Sequence, residues 1–223
     1  SERVAELRSC TNLIIDLRKN EGGTESGFVP LLPLVLDRPM PFAEAMADEP
    51  IETNYTKANC ERRITEFRAI KAMCAENGDK TAAGLCEDLI REFRENSGSG
   101  LCREESASAG ESDLLQPYAN IKKVILITDT WCRDAGEVFV KLAAKSSKVT
   151  VLGRPTMGTI DYTNSVTMLL DQTFVLSYPM SRRGHVTDGI CYNDTGLPVD
   201  VYVPWTPQEC TQDLLLAKAL ELL

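Results

Sequence analysis

Two short apolar runs constrain this chain more than anything else in it: Leu13-Ile-Ile-Asp-Leu17 and Val124-Ile-Leu-Ile-Thr128. β-branched and leucine runs of this length, closed by turn residues, read as strands. Each is followed by a turn and a segment able to start a helix. The first passes into Asn20-Glu-Gly-Gly23; the second passes through Asp129-Thr-Trp-Cys-Arg-Asp134 into Ala-Gly-Glu-Val-Phe139. Strand, tight turn, exposed residue and helix N-terminus is the order in which an α/β enzyme presents a nucleophile beside an oxyanion hole. A glycine pair after a strand can aim a backbone N–H at developing negative charge, or it can simply make a tight turn.

The rest of the chain is organised around these runs. Cys60, Ile64, Phe67, Lys71 and Cys74 recur at helical spacing, as do Ala82, Cys86, Leu89 and Phe93 after an Asn77-Gly78 stop. This predicts a hairpin of two amphipathic helices packed by their apolar stripes. Residues 97–112, rich in Ser, Gly, Glu and Ala, are expected to form a mobile loop. Further expectations are a helix over 135–144, a strand over 149–152, and extended segments near 158–162, 165–170 and 174–178. A last helix is expected over about 208–222.

Composition excludes several function classes. A net charge of −9 opposes nonspecific contact with nucleic acid or an anionic membrane, and accounts for solubility. No run of about 18 apolar residues exists to span a bilayer, and no signal peptide is visible, so the compartment stays open. The eight cysteines form no CxxC pair, and with a single histidine they offer no zinc-site spacing. They read as reduced thiols; no metal and no cofactor is expected. Cys132 reads as a buried structural cysteine, and His185, in Ser181-Arg-Arg-Gly-His185, as a surface histidine.

The string Asp16-Leu-Arg-Lys-Asn-Glu-Gly-Gly23 resembles the Asp-Leu-Arg-x-Asn-x-Gly-Gly motif of the S41 peptidases, the tail-specific or C-terminal-processing proteases. Val151-Leu-Gly-Arg-Pro-Thr-Met-Gly158 is similar to that family's Val-Gly-x-x-Thr-x-Gly segment. Gly196-Leu-Pro-Val-Asp-Val-Tyr-Val-Pro-Trp-Thr-Pro207 is similar to its late strand. The resemblance covers residues 1–41 and about 115–223. It implies an α/β fold of the ClpP/crotonase-like kind, a mixed sheet flanked by helices. A helical insertion over about 43–112 would sit within one domain, 1–223, incomplete at its N-terminal side.

By the same resemblance Gly23 and Ala135 would supply the oxyanion amides, with Asp16 and Arg18 as structural supports. Asp134 stands where the family has its serine nucleophile, and Glu137 is the glutamate three residues on. Asp-x-x-Glu also suits a helix N-cap, with the aspartate accepting an early helical N–H. Thr159 occupies the position of one branch's general-base lysine. A second branch takes a histidine from a segment that would lie upstream of residue 1, assisted by a late glutamate that aligns with Asn193. His185 matches no catalytic position.

The implied function is serine-type proteolysis of peptide or unfolded protein substrates, disabled here because Asp134 has no hydroxyl to attack with. Two alternatives stay open. One is a non-catalytic peptide- or protein-binding pseudopeptidase; the other is a crotonase-type acyl-CoA enzyme on the same fold. Homo-oligomerisation is left undecided by the sequence.

Overall fold

The computed structural model describes residues 6–7, 9–46, 50–104 and 114–223. In chain order the strands begin β1 (Asn12–Asp16), β2 (Met40–Pro41), β3 (Ile51–Tyr55), β4 (Gly100–Glu104) and β5 (Leu114–Leu115). They continue with β6 (Lys123–Thr128), β7 (Val149–Gly153), β8 (Tyr162–Leu169), β9 (Val175–Arg183) and β10 (Val201–Tyr202). The chain divides into two compact units. One comprises Ser1–Asp48, Ala107–Asp161 and Ile190–Leu223; the other comprises Glu49–Ser106 and Tyr162–Gly189.

The first unit is built on a parallel sheet in the order β1-β6-β7-β10, with β2 and β5 forming a separate antiparallel pair. β6 is an inner strand, and five of its six residues, Val124 to Thr128, bury on both faces, all 0% exposed. Alternation sends Val124 and Leu126 toward Val138, Phe139, Phe28 and Leu32, while Ile125 and Ile127 meet Leu152, Leu215 and Ala219. The helices Ala135–Ala143 and Leu214–Leu222 supply those two apolar covers. Short helical turns at Glu25–Gly27, Val29–Leu31 and Leu32–Val35 fill the expected helical stretch after the glycine pair.

The second unit is an antiparallel sheet in the order β4-β3-β9-β8 with a helical hairpin on it. The hairpin comprises Lys57–Glu76 and Lys80–Glu95, capped by Thr56 accepting from Asn59 N–H and by Asp79 accepting from Ala82 N–H. Of its expected stripes Cys60, Phe67, Cys86 and Phe93 bury, joined by Ile90, against Tyr55, Val166 and Met180. Ile64 and Leu89 are partly buried at the margin, and Lys71, Cys74 and Ala82 are not buried.

The structure differs from expectation at residues 100–104 and at His185, and the last helix, expected from about 208, starts at Leu214 after a separate helical turn at Pro207–Cys210. Residues 100–104, within the segment read as a mobile loop, form β4 and pair with β3 from Ile51↔Glu104 to Tyr55↔Gly100. Backbone pairing holds this strand although its side chains show no apolar alternation. Residues 105–112 of the same expected loop lie outside the described residues. His185, expected at the surface, is 6% exposed in the short helix Gly184–Thr187, whose first N–H donates to Pro50 O. A polar flank in sequence does not reveal that the segment is drawn inward by that backbone bond.

Candidate functional site

The loops after β1 and β6 are tied together first by Asp129. Its Oδ1 accepts the N–H groups of Lys19 at 3.1 Å and Trp131 at 3.0 Å. Arg133 N–H then donates to Asn20 O at 3.0 Å, and Met157 N–H to Cys132 O at 2.8 Å. Asp134 follows with φ 51° and ψ −123°, and the helix starts at Ala135. A residue heading a helix normally has extended backbone, so a side-chain-bearing residue at positive φ is strained by about 1–3 kcal/mol. Its neighbours hold it there: Asp134 N–H is shared between Thr159 Oγ1 at 3.0 Å and Glu137 Oε2 at 3.2 Å. Strand, strained corner and helix is the geometry that lifts a side chain clear of its backbone.

The glycine pair closes on this corner. A Cβ at Gly22 would lie 2.5 Å from Asp134 Cβ, so no other residue fits there without displacement. Gly23 N–H donates to Asp134 Oδ2 at 3.3 Å. Ala135 N–H, at the first helical position, has no hydrogen-bond acceptor among the described residues. Gly23, Asp134, Ala135, Glu137 and Thr159 therefore meet at one point although they span more than a hundred positions. The Asp134 carboxylate is turned to Gly23, while the Glu137 side chain returns to the N–H of Asp134.

Glu137 is fully buried and is the most heavily hydrogen-bonded side chain of the site. Oε1 accepts from Thr156 Oγ1 at 2.5 Å and Gly158 N–H at 2.6 Å; Oε2 accepts from Thr159 N–H at 2.7 Å and Thr159 Oγ1 at 2.8 Å. With Asp134 N–H this makes five donors, which compensate the loss of hydration. Thr156 and Gly158, fixed positions of the Val-Gly-x-x-Thr-x-Gly resemblance, are site residues to which the sequence assigned no role. The polar residues of Thr156-Met-Gly-Thr159 after a buried strand were the available signal. Asn193 stands apart. Its N–H donates to Asp161 Oδ2 at 3.0 Å, alongside the N–H of Tyr192 and the thiol of Cys191. Among the described residues no hydrogen bond joins Asn193 to Asp134, Glu137 or Thr159.

Cys132, two residues before the corner, is fully buried. Burial, followed by the nearby carboxylates of Glu137 and Asp129, pushes its thiol up to about 12. It is therefore not a nucleophile. In the folded protein at pH 8 iodoacetamide should modify exposed Cys210 and leave Cys132 untouched until unfolding, with peptide mass mapping as the readout. Rapid alkylation of Cys132 under native conditions would contradict its assignment as a core residue.

Asp16 and Arg18 form a clamp rather than a reacting group. The guanidinium grips Asp16 through Nε at 2.9 Å and Nη2 at 2.6 Å, and Asp213 through Nη1 at 2.9 Å and Nη2 at 2.7 Å. Asp213 also caps the last helix by accepting Leu216 N–H at 2.9 Å. The Arg18 hydrogen bonds hold Asp213 below the usual carboxylate range against a smaller opposing effect of burial. For Asp16 burial pushes upward most strongly, yet the combined contacts with Arg18 outweigh it and the group is lowered. A lowered carboxylate stabilises the fold above its unfolded pKa and loses that contribution as pH falls through the folded value. Arg18→Ala should thus cost about 1 kcal/mol at pH 7, a modest figure because the clamp is partly exposed. The gap to wild type should close as pH drops below about 4. Urea unfolding at several pH values measures it, and a pH-independent gap would contradict the clamp.

Among the described residues no group of three or more His, Cys, Asp or Glu is placed to hold a metal ion, and no helix is long and apolar enough to cross a membrane. The scaffold and its strained corner define an α/β fold with a strand-to-helix elbow. The chain belongs to Peptidase family S41, which it matches over residues 1–203. No curated protein matches it. Similar solved structures include one from Parabacteroides merdae described as a candidate peptidase. That structure has 15% identity and a TM-score of 0.54, covering 99% of this chain and 54% of that one. Mature CPAF is similar with 16% identity and a TM-score of 0.53, over 92% of this chain and 41% of that one. CPAF complexed with lactacystin gives 15% and 0.54, over 92% and 42%. At such identities the likeness concerns the fold, and the chain spans about half the length of these structures or less.

Proposed function

We propose that this chain is an S41-type domain that retains the amide framework of a serine peptidase site but does not cleave peptides in this form. The observation that carries this reading is the bond from Gly23 N–H to Asp134 Oδ2 at 3.3 Å. A serine mechanism needs a hydroxyl at the corner, a base to take its proton, and amides free to receive the oxyanion. Position 134 offers a carboxylate in place of the hydroxyl. That carboxylate engages one candidate amide and places negative charge where the oxyanion would develop. Thr159, at the position of one branch's lysine, donates its hydroxyl proton to Glu137 and accepts Asp134 N–H, so it is no base.

The test is labelling by a fluorophosphonate serine probe. The chain should show no attachment at its corner. Asp134→Ser should label only slowly, since a positioned base contributes about 10²–10⁴-fold. Rapid labelling of Asp134→Ser at position 134 would show that a working base is already present and would reverse the second half of the reading.

A binding role is favoured by a specific feature of the first unit. A cleft of about 730 Å³ opens near the carboxyl ends of β1, β6 and β7, lined by Arg18, Asp129, Trp131, Arg154 and Trp205 among others. This is where open α/β sheets take ligands. Trp131 and Trp205 are each 59% exposed, and they are the only tryptophans in the chain. Intrinsic fluorescence should therefore report cleft occupancy directly. Adding an unfolded polypeptide that lacks tryptophan should shift the emission to the blue. An unchanged spectrum at saturating peptide would count against binding there.

A further inference from the structure

The backbone of Asp134 has a second chemical consequence, one that involves no substrate. Its ψ of −123° belongs to neither a helix nor a strand. Tetrahedral geometry at an L α-carbon makes this the ψ at which Cβ lines up with the next backbone nitrogen, here that of Ala135. Rotation about Cα–Cβ alone then carries the carboxyl carbon to Ala135 N and closes a five-membered ring. Most residues must first climb out of an allowed region to reach this arrangement. Asp134 is held in it by its neighbours.

The hydrogen bonds around the corner favour closure. Ala135 N–H has no acceptor among the described residues, so no bond has to break before it reacts. Asp134 O, on the same peptide group, accepts from Glu137 N–H at 2.9 Å and Val138 N–H at 3.1 Å. Both bonds draw electron density toward that oxygen and make the Ala135 N–H more acidic, and the helix N-terminus favours the negative charge that results. Gly23 N–H, 3.3 Å from Asp134 Oδ2, stands where it can hold the negative oxygen formed when the carboxyl carbon is attacked. Asp134 is exposed, so water reaches the product.

We propose that Asp134 is a self-modification site, where the folded chain converts the Asp134–Ala135 linkage to a cyclic imide and then to isoaspartate. Ala135 N forms a bond to Asp134 Cγ as one Cγ–O bond breaks. The carboxyl OH leaves as water together with the proton from Ala135 N. Water then reopens the imide by one of two routes. Attack at Cγ restores aspartate. Attack at the main-chain carbonyl carbon breaks its bond to Ala135 N, so the chain runs on through Cβ and Cγ and the former main-chain carbon becomes a free carboxylate. The donors on Asp134 O polarise that carbonyl and favour the second route. The product has one more main-chain carbon between the corner and the helix Ala135–Ala143, which releases the strain at position 134.

Sequence alone points elsewhere. Asp188-Gly189 is the chain's one Asp-Gly pair, and a following residue without Cβ hinders ring closure least. There ψ is 3°, and Gly189 N–H is engaged by Val186 O at 3.2 Å. Asp188 is exposed as Asp134 is, so geometry rather than access separates the two.

The test is incubation of the folded chain at mildly acidic pH and physiological temperature, followed by digestion in acid and peptide mass mapping. Loss of one water, then a separately eluting peptide of unchanged mass, should arise at Asp134 at least about tenfold faster than at Asp188, since an ångström of misplacement costs reacting groups on the order of a hundredfold. In urea the order should reverse, and this comparison needs no variant to fold. Asp134→Glu, whose carboxyl carbon lies one bond too far for the five-membered ring, should suppress the change at position 134. A folded chain in which Asp134 does not lead Asp188 would overturn the proposal. So would a lead at Asp134 that survives unfolding, or water loss at position 134 undiminished by Asp134→Glu.

Discussion

Glu137→Gln should lower the unfolding free energy by about 3–5 kcal/mol, the range expected when one partner of a buried, hydrogen-bonded charge is removed. An amide side chain has one acceptor oxygen, whereas both carboxylate oxygens of Glu137 receive donors. If the amide NH₂ replaces Oε1 it confronts Gly158 N–H; if it replaces Oε2 it confronts Thr159 N–H and Asp134 N–H. The threonine hydroxyls can rotate to accept, but backbone amides cannot. Thr156 is further constrained because its Oγ1 already accepts Leu197 N–H at 2.8 Å. At about 2–4 °C per kcal/mol for a protein of this size, the midpoint should fall by roughly 10 °C. A loss below about 1 kcal/mol would mean that the Glu137 bracket is not what fixes the corner.

Gly196→Ala and Gly158→Ala should be comparably damaging, each costing about 3 kcal/mol or more from overpacking and positive-φ strain combined. A Cβ at Gly196, with φ +70°, would lie 2.0 Å from Thr156 O; one at Gly158, with φ +82°, would lie 2.1 Å from Tyr192 O. Both obstacles are backbone atoms, so relief requires moving the very loop that delivers Thr156 and Gly158 to Glu137. Gly78→Ala is the control: its φ is +76°, but nothing lies within 4 Å of the added methyl. It should show only the left-handed penalty of about 1–2 kcal/mol. Thermal melts of the three variants settle the comparison, and equal losses in all three would show that conformation rather than crowding governs these sites.

The parts of the fold legible in the sequence are those written locally. β6 is legible because a two-sided burial demands an unbroken apolar run, and the helical hairpin because its stripes repeat at helical spacing around Asn77-Gly78. The meeting of Gly23 with Asp134 is legible only through the motif strings that flank them, since neither residue alone distinguishes a tight turn from a site. The remainder depends on partners far away in sequence. β4 gives no alternating pattern and exists because Ile51–Tyr55 pairs with it. His185 is buried without an apolar neighbourhood in sequence to announce it. The Glu137 bracket is assembled from Thr156, Gly158 and Thr159, some twenty positions on. Its donors are partly backbone N–H groups, which every residue carries, so composition cannot point to them. The positive φ of Asp134 is likewise a consequence of its surroundings rather than of the residue itself.

The most direct test of the central claim is incubation of the unmodified chain with a mixed peptide library, followed by mass spectrometry of the products. The carboxylate at position 134, bonded to Gly23 N–H, predicts no new peptide termini above those of a heat-unfolded control. Reproducible cleavage that disappears in Asp134→Ala would contradict it, and would assign the carboxylate itself as the attacking group.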